Sequence, residues 1–473
     1  MAKKYANPAD RPFGMRDKLA YAMGDFGNDF TFILSSSFLL KFYTDVMGVS
    51  AALVGVMMMV ARFVDAVTDV TMGQIVDRSK PTKRGKFIPW MRRFMGPVAI
   101  ASFLMYATWF KDMPMSFKIV WMFVTYILWG SICYTGVNIP YGSMASAITD
   151  KPDERTQLSS WRNIGATLAS TVIGVVLPLV VYYTDADGNT QLSGTKMTIA
   201  ALVCSIGALV CYFLCTTFST ERVVIEKKTE KFSIAKLAKQ LVSSRALLSI
   251  IVAAIILLLA QLTMQSMNNY IFPNYYNSAL GASIASLCGS IVMIVLAMFV
   301  IPRLSKRFGK KEIAIAGNIV AVVAFFIAFF AKFENMYVYI VFYTLGFIGI
   351  AFFNTVVWAM IVDVIDEDEV RRGTRSDGTI YSLYSFARKL GQAASSGLSG
   401  GLLTAVGYTA ETAFDADVLA GIYNIGTIVP AFGFLGLILV LKFWYPLDKE
   451  AVIKNNQILA ERKAKKEAGE DQK

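Results

Sequence analysis

Twelve stretches of this 473-residue chain stay apolar for the length of a bilayer-crossing helix. A hydrocarbon core about 30 Å thick needs about 20 such residues. The stretches run over 18–44, 51–76, 88–110, 116–147, 156–183, 194–217, 246–273, 280–304, 312–332, 336–365, 379–407 and 419–445. Water-soluble domains do not carry such a pattern. Only 17% of the residues are charged and 55% are hydrophobic, against about 25% charged in a soluble domain. A disordered chain is excluded because there is too much apolar surface to bury. The sequence predicts an all-α integral membrane protein with twelve transmembrane helices.

The loops between these segments alternate in charge. One set holds Arg78, Lys80, Lys83, Arg84, Lys86, Arg92 and Arg93, then Lys227, Lys228, Lys231, Lys236, Lys239 and Arg245, then Arg303, Lys306, Arg307, Lys310 and Lys311. The other set is nearly free of cations. The positive-inside rule therefore places both termini and the even-numbered loops in the cytoplasm. The net charge of +12 reports topology in a multi-pass protein of the cell membrane and points to no nucleic-acid partner. The polar N-terminal stretch is too long for a signal peptide's n-region, and the first apolar segment too long for an h-region, so no cleavable signal is expected.

Histidine is absent, which leaves carboxylates as the main carriers of any proton chemistry. The five cysteines, Cys133, Cys204, Cys211, Cys215 and Cys288, lie in apolar stretches. Their odd number and lack of a CxxC pair predict packing thiols, with no disulfide framework and no zinc site. No GxSxG or P-loop is present, and a membrane-embedded enzyme is not expected. No cofactor is expected beyond a bound H⁺ or Na⁺.

The chain repeats itself. Asn138 is followed at twelve residues by Asp150, and Asn354 by Asp366; the offset between the pairs is 216 residues, and Arg155 and Arg371 share it. The loop after the second segment reads Asp77-Arg78 and then Lys83-Arg84-Gly85-Lys86; that after the eighth reads Lys306-Arg307-Phe308-Gly309-Lys310-Lys311. The predicted organisation is an N-terminal six-helix half over 1–217, a cytoplasmic linker over 218–245, a C-terminal six-helix half over 246–445 and a tail over 446–473. Two pseudo-symmetric parallel halves are the major-facilitator pattern, with the substrate site at the midplane between them.

The sharpest signal lies in the second segment. Arg62, Asp65 and Asp69 stand at i, i+3 and i+7 and share one helix face. Each charge at the bilayer centre costs about 2.5–3.5 kcal/mol, so the three must face a cavity or partner helices. Their sum is one negative charge, which a bound Na⁺ or H⁺ would neutralise. Thr68 adds an oxygen if its hydroxyl turns toward the pair. Other helices supply Asp25, Asn28, Asp29, Tyr134, Thr135, Asn138, Arg162, Asn354, Trp358, Tyr381, Tyr384, Ser385, Arg388, Lys389 and Gln392, with Arg162 at the start of the fifth. Carboxylates, amides and cations hydrogen-bond hydroxyl groups, and aromatic faces cover the apolar surface of a sugar ring.

With these residues the chain resembles the glycoside–pentoside–hexuronide:cation symporters, the melibiose permease family. The resemblance covers nearly the whole chain. It is carried by FYTDVMG at 42–48, ARFVDAVTD at 61–69, RGKFIPW at 84–90, VTYILWG at 124–130, NIPYGS at 138–143 and RKLGQA at 388–393. It implies twelve helices, a cytoplasmic N-terminus and sugar–cation symport. Asp65 and Asp69 match the family's cation-binding carboxylates and Thr135 a further cation-site hydroxyl, while Thr68 stands where the melibiose permease has Asn. Asp29 and Arg162 match sugar-binding positions, and Lys389 matches the lysine that links the two sites. Asn28, Asn138 and Gly142 depart from the melibiose pattern, replacing Lys, Asp and Trp. The runs NIPYGS and SFARKLGQA look more like the xyloside and glucuronide transporters.

The expectation is alternating access with H⁺ favoured over Na⁺. Asp65, Asp69, Thr68 and Thr135 bind the cation. Asp29, Asn28, Tyr134, Asn138, Arg162, Asn354, Trp358, Ser385 and Lys389 bind the sugar, a pentoside such as isoprimeverose. Arg62 and Lys389 couple the two, and Asp150, Arg155, Asp366 and Arg371 form a cytoplasmic gate. The partners expected are the glycoside and the surrounding lipid, with one chain as the functional unit. The alternatives are a glucuronide or galactoside symporter, a sugar exchanger and, more distantly, a lipid transporter on the same scaffold.

Overall fold

The computed structural model describes residues 11–82, 84–223, 244–373 and 377–467. Lys83 and Lys227, Lys228, Lys231, Lys236 and Lys239 of the linker lie outside the described residues.

Every predicted segment is a helix. In chain order they are α1 Met15–Lys41, α2 Ala51–Arg78, α3 Ile88–Leu104, α4 Met115–Ile148, α5 Pro152–Val181, α6 Gly194–Phe218, α7 Arg245–Tyr270, α8 Ala279–Phe308, α9 Lys310–Ala331, α10 Met336–Arg372, α11 Asp377–Ala405 and α12 Ala416–Leu439, with α13 Lys449–Glu467 in the tail. Among the described residues, nine helices are both long and apolar enough to cross a membrane. Of the other three, α3 has 17 residues, and α1 and α11 carry many of the polar residues singled out above. Apolar side chains such as Val67, Met298 and Phe330 face outward, as expected of helices solvated by lipid tails.

Several boundaries differ from the sequence expectation. α3 stops at Leu104, and Thr108–Phe110 form a separate single turn. α10 continues to Arg372 because Asp368 pairs with Arg371 and Arg372 across one helical turn, each at 2.8 Å. α5 begins at Pro152, where proline's missing N–H costs nothing, so Arg162 sits well inside the helix and not at its start. After α5 the chain forms an unexpected hairpin, β1 Tyr182–Thr184 paired antiparallel with β2 Thr190–Leu192. Its turn is held by the Asp185 carboxylate, which accepts from Asp187 N–H, Asn189 N–H and Gln191 Nε2 at 3.0, 2.8 and 2.5 Å.

Some helices depart from the α repeat. A π-helical turn, Leu128–Tyr134, interrupts α4, and another, Leu296–Val300, interrupts α8. Further π turns, Phe42–Val46 and Ile271–Tyr275, extend α1 and α7.

The chain divides into two compact units. One comprises Met1–Glu230, Asn268–Leu287 and Ser396–Ala420; the other comprises Lys231–Met267, Cys288–Ser395 and Gly421–Lys473.

In the first unit α1 packs closely against α4 and α5 through small residues. A Cβ on Gly24 would lie 2.2 Å from the Tyr141 ring, and one on Gly165 would lie 2.3 Å from the Ala22 carbonyl oxygen. The end of α1 is fixed by a buried polar cluster. The Lys41 ammonium donates to Asn274 Oδ1 at 2.7 Å and to the Tyr408 hydroxyl at 3.1 Å, and pairs with Asp45 Oδ2 at 2.9 Å. The Tyr408 and Thr44 hydroxyls both donate to Asp45 Oδ1, at 2.8 and 2.9 Å. The Tyr270 ring lies 4.5 Å from the ammonium. At the opposite end of the unit, the Glu221 carboxylate accepts from the backbone N–H groups of Lys86, Phe87 and Ile88 at 2.6, 2.9 and 2.8 Å. These are donors that the start of α3 leaves without intrahelical partners. Burial pushes the Glu221 carboxyl up, and the three N–H donors oppose that rise.

In the second unit α13 lies across the charged end of α10. Arg462 donates to the carbonyls of Glu369 and Val370 at 3.2 and 2.9 Å, bracing the last turn of the helix, where Gly373 N–H also donates to the Glu369 carbonyl at 2.8 Å. Lys310 forms a two-oxygen contact with Asp363 at 2.6 and 2.7 Å, which ties α9 to α10.

Candidate functional site

α2 places Arg62, Asp65 and Asp69 along one face because a helix advances 3.6 residues per turn. Asp65 is buried, with 5% of its surface exposed. Its Oδ2 lies 3.3 Å from Arg62 Nη1, and its Oδ1 accepts from the Ser131 hydroxyl at 2.5 Å. One turn further, Asp69 Oδ1 accepts from the Thr135 hydroxyl at 2.8 Å. Two acids spaced i, i+4 on α2 thus meet two hydroxyls spaced i, i+4 on α4. The π turn Leu128–Tyr134 sets this register, as such turns often do at functional sites. The Arg62 guanidinium also stands 5.1 Å over the Phe32 ring of α1, so the charge is covered by a ring face as well as by a carboxylate.

Thr68 is not turned toward the acids. Its hydroxyl donates to the carbonyls of Val64 and Asp65 in its own helix, each at 3.2 Å. Ser131 was missed in the sequence reading. Its signal was its place four residues before Thr135, the same spacing as Asp65 and Asp69.

A second polar group lies nearby in the same unit. Asn28 Nδ2 donates to Asn138 Oδ1 at 3.3 Å, and the buried Tyr212 hydroxyl donates to Asn28 Oδ1 at 2.9 Å. Arg162 Nε pairs with Asp25 Oδ2 at 3.2 Å, and the guanidinium stands 5.4 Å over the Tyr141 ring. Tyr141 and Tyr21 are locked together. Their rings stack at 4.6 Å, and Tyr141 donates its hydroxyl to the Tyr21 carbonyl at 2.7 Å. Asp29 is half-buried and makes no hydrogen bond or ion pair among the described residues. The Tyr134 ring lies between Phe32 and Trp129, at 6.1 and 5.5 Å.

In the other unit, Asn354 Nδ2 donates to Gln261 Oε1 at 3.1 Å. Trp358 stacks on Tyr381 at 6.2 Å, meets the Tyr384 ring edge-on at 5.1 Å and carries the Arg388 guanidinium 5.9 Å over its face. Ser385 is exposed and Lys389 half-buried.

The four residues assigned to a gate have unlike surroundings. Asp150 is exposed and Asp366 half-buried. Arg155 donates to the Thr149 carbonyl at 2.9 Å. Arg371, its counterpart in the repeat, holds Asp368 at 2.8 Å and Glu367 at 3.6 Å.

Known proteins are similar to this chain in sequence and in fold. The family model described as MFS/sugar transport protein matches residues 20–449. The isoprimeverose transporter of Lactiplantibacillus pentosus is 31% identical, over 94% of this chain and 93% of its own length. The uncharacterized symporter YjmB of Bacillus subtilis (strain 168) is 31% identical over 93% and 94%. The glucuronide carrier protein homolog of Escherichia coli (strain K12) is 30% identical over 92% and 93%. Among solved structures, a D-xylose-proton symporter superposes with a TM-score of 0.65 at 13% identity, over 91% of this chain and 98% of that one. That likeness speaks for the fold alone. The family match and the solved structure agree with the all-α membrane fold. The chain belongs to the MFS/sugar transport family, in its glycoside–pentoside–hexuronide symporter branch, and is a membrane transporter rather than an enzyme.

Proposed function

We propose that this chain couples the downhill movement of a cation, H⁺ in preference to Na⁺, to uptake of a glycoside, with a pentoside such as isoprimeverose in first place. The observation that carries the reading is the α2–α4 ladder, Asp65 on Ser131 and Asp69 on Thr135, with Arg62 on Asp65. The three α2 charges sum to one negative charge, and intramembrane carboxylates mark ion pathways. Both Asp65 oxygens are already engaged, one by Arg62 and one by Ser131. A Na⁺ bound across both acids needs several oxygen ligands at once, whereas a proton needs a single carboxylate oxygen. That asymmetry favours H⁺.

The sugar reading draws on Asp29, Asn28, Asn138, Arg162 and Tyr134 in one unit, and on Asn354, Trp358, Ser385 and Lys389 in the other. It is supported by relatives named for isoprimeverose and glucuronide. Transport proceeds by alternating access of the halves 1–217 and 246–445. Both termini lie in the cytoplasm, Asp150, Arg155, Asp366 and Arg371 act at the cytoplasmic gate, and one chain is the working unit. Arg62 and Lys389 link the sites, so each ligand raises affinity for the other.

The test is uptake of labelled xylosides into vesicles holding the purified protein, under an imposed proton or Na⁺ gradient. Accumulation should follow the proton gradient and vanish in Asp65→Asn and Asp69→Asn. Undiminished accumulation in either variant refutes the scheme, and accumulation driven only by Na⁺ refutes the choice of ion.

A further inference from the structure

We infer that Asp25 is a specificity-determining residue. By holding Arg162 through Nε it offsets that residue's charge and presents its two Nη groups, together with Asp29, to a neutral vicinal diol in preference to a carboxylated sugar. The inference rests on the glycoside reading above and narrows its substrate class.

The geometry divides Arg162 in two. Its Nε side faces the buried Asp25 carboxylate at 3.2 Å. Neither Nη nitrogen has a hydrogen-bond partner among the described residues, although 39% of the side chain is exposed. A guanidinium carries five N–H donors in a rigid fork. Anchoring one edge and stacking its face over Tyr141 fixes the plane and leaves the other edge to donate. The stacking ring is itself immobilised by the Tyr21–Tyr141 pair. Asp29 stands one helical turn from Asp25 on α1, with Arg162 and Asp25 as its charged neighbours, and it has acceptor capacity to spare. Two donors beside one acceptor match a pair of adjacent hydroxyls, each of which can accept or donate.

Charge sets the selectivity. The Asp25 carboxylate offsets the Arg162 guanidinium. A sugar carboxylate entering here therefore finds no net positive charge to bind. Without that carboxylate the fork is an unpaired cation, the group that binds carboxylates best through two parallel N–H donors. Asp25 is thus a positioning residue, acting on the ligand through Arg162 and through the local field.

The experiment measures binding of p-nitrophenyl β-xyloside and p-nitrophenyl β-glucuronide to the purified full-length protein by calorimetry, in wild type, Asp25→Asn, Asp25→Glu and Arg162→Lys. Wild type should prefer the xyloside. Asp25→Asn should shift the affinity ratio about tenfold or more toward the glucuronide, and Asp25→Glu should restore the wild-type ratio. Arg162→Lys, which keeps the charge but loses the fork, should lose xyloside affinity while eluting as a folded monodisperse species. If Asp25→Asn does not fold, Arg162→Lys still decides the point, because unchanged xyloside affinity there overturns the fork's role. A wild type that binds but whose ratio survives Asp25→Asn overturns this inference alone. A wild type that binds neither probe overturns the glycoside reading and this inference with it.

Discussion

The buried cluster at the end of α1 makes a quantitative demand. Lys41 is 1% exposed, and its three N–H donors are used on Asn274, Tyr408 and Asp45. Replacing Asp45 with alanine leaves a buried ammonium facing two neutral acceptors. Breaking a buried pair from one side costs about 3–5 kcal/mol. Replacing Lys41 with methionine leaves a different remnant. Asp45 keeps hydroxyl donors from Tyr408 and Thr44 and is itself partly exposed, so the loss is nearer about 1–3 kcal/mol. The double variant Lys41→Met/Asp45→Asn contains no unpaired charge, and it should be no less stable than Asp45→Ala and close to Lys41→Met. The cycle built with the single Asp45→Asn should then show a coupling of about 2 kcal/mol. The assay is denaturant unfolding of the purified protein in one detergent, followed by intrinsic fluorescence. Additive single effects, or a cost for Asp45→Ala below about 1 kcal/mol, would refute the view that this cluster is a desolvated ion pair.

Two further outcomes follow from contacts already described. Gly85 has φ of +103° and sits where a Cβ would come within 2.3 Å of the Glu221 carboxyl, so Gly85→Ala should lower stability by about 1–3 kcal/mol. Adding Glu221→Ala should relieve the clash but not the backbone strain, and a double variant as stable as wild type in thermal unfolding would contradict this. Ser131→Ala removes a charge-assisted hydrogen bond worth about 1.5–3 kcal/mol from a buried carboxylate. Its effect should appear as an altered pH dependence of uptake with the fold intact, and an unchanged pH profile would remove Ser131 from the ion pathway.

Most of the helices were legible because hydropathy over some 20 residues is a strong signal in a chain that must satisfy its backbone internally. The Arg62–Asp65 contact was legible too, since both partners lie on one helix at i, i+3. The extra turns of α10 were not, because Asp366–Arg372 is charged and hydropathy ends where the apolar run ends. There the helix is held by ion pairs between its own side chains. The hairpin at Tyr182–Leu192 was missed although Asp185-Ala186-Asp187-Gly188 is a turn sequence, since Tyr182 and Tyr183 read as the tail of an apolar segment. The Arg162–Asp25 and Tyr212–Asn28 contacts join distant helices. One sequence offers residue types for such pairs but no information on which of them meet. Thr68 shows another limit: residue type does not reveal that the hydroxyl donates to carbonyls of its own helix.

The π turn of α4 makes this part of the protein sensitive to chain length as well as to chemistry. One residue deleted within 128–134, even an apolar one such as Ile132, would let the helix close as an ordinary α-helix. A π turn takes up one residue more than the α-helical turn it replaces, so Thr135 and all that follows would stay close to their phase relative to the start of α4. The contacts of Thr135 with Asp69 and of Asn138 with Asn28 would survive, and the hydropathy profile would scarcely change. A second residue deleted has no bulge to absorb it; each residue of an α-helix turns about 100°, so that loss would carry Thr135 and Asn138 off their partners together. The helix therefore has room to lose one residue at this turn and no more.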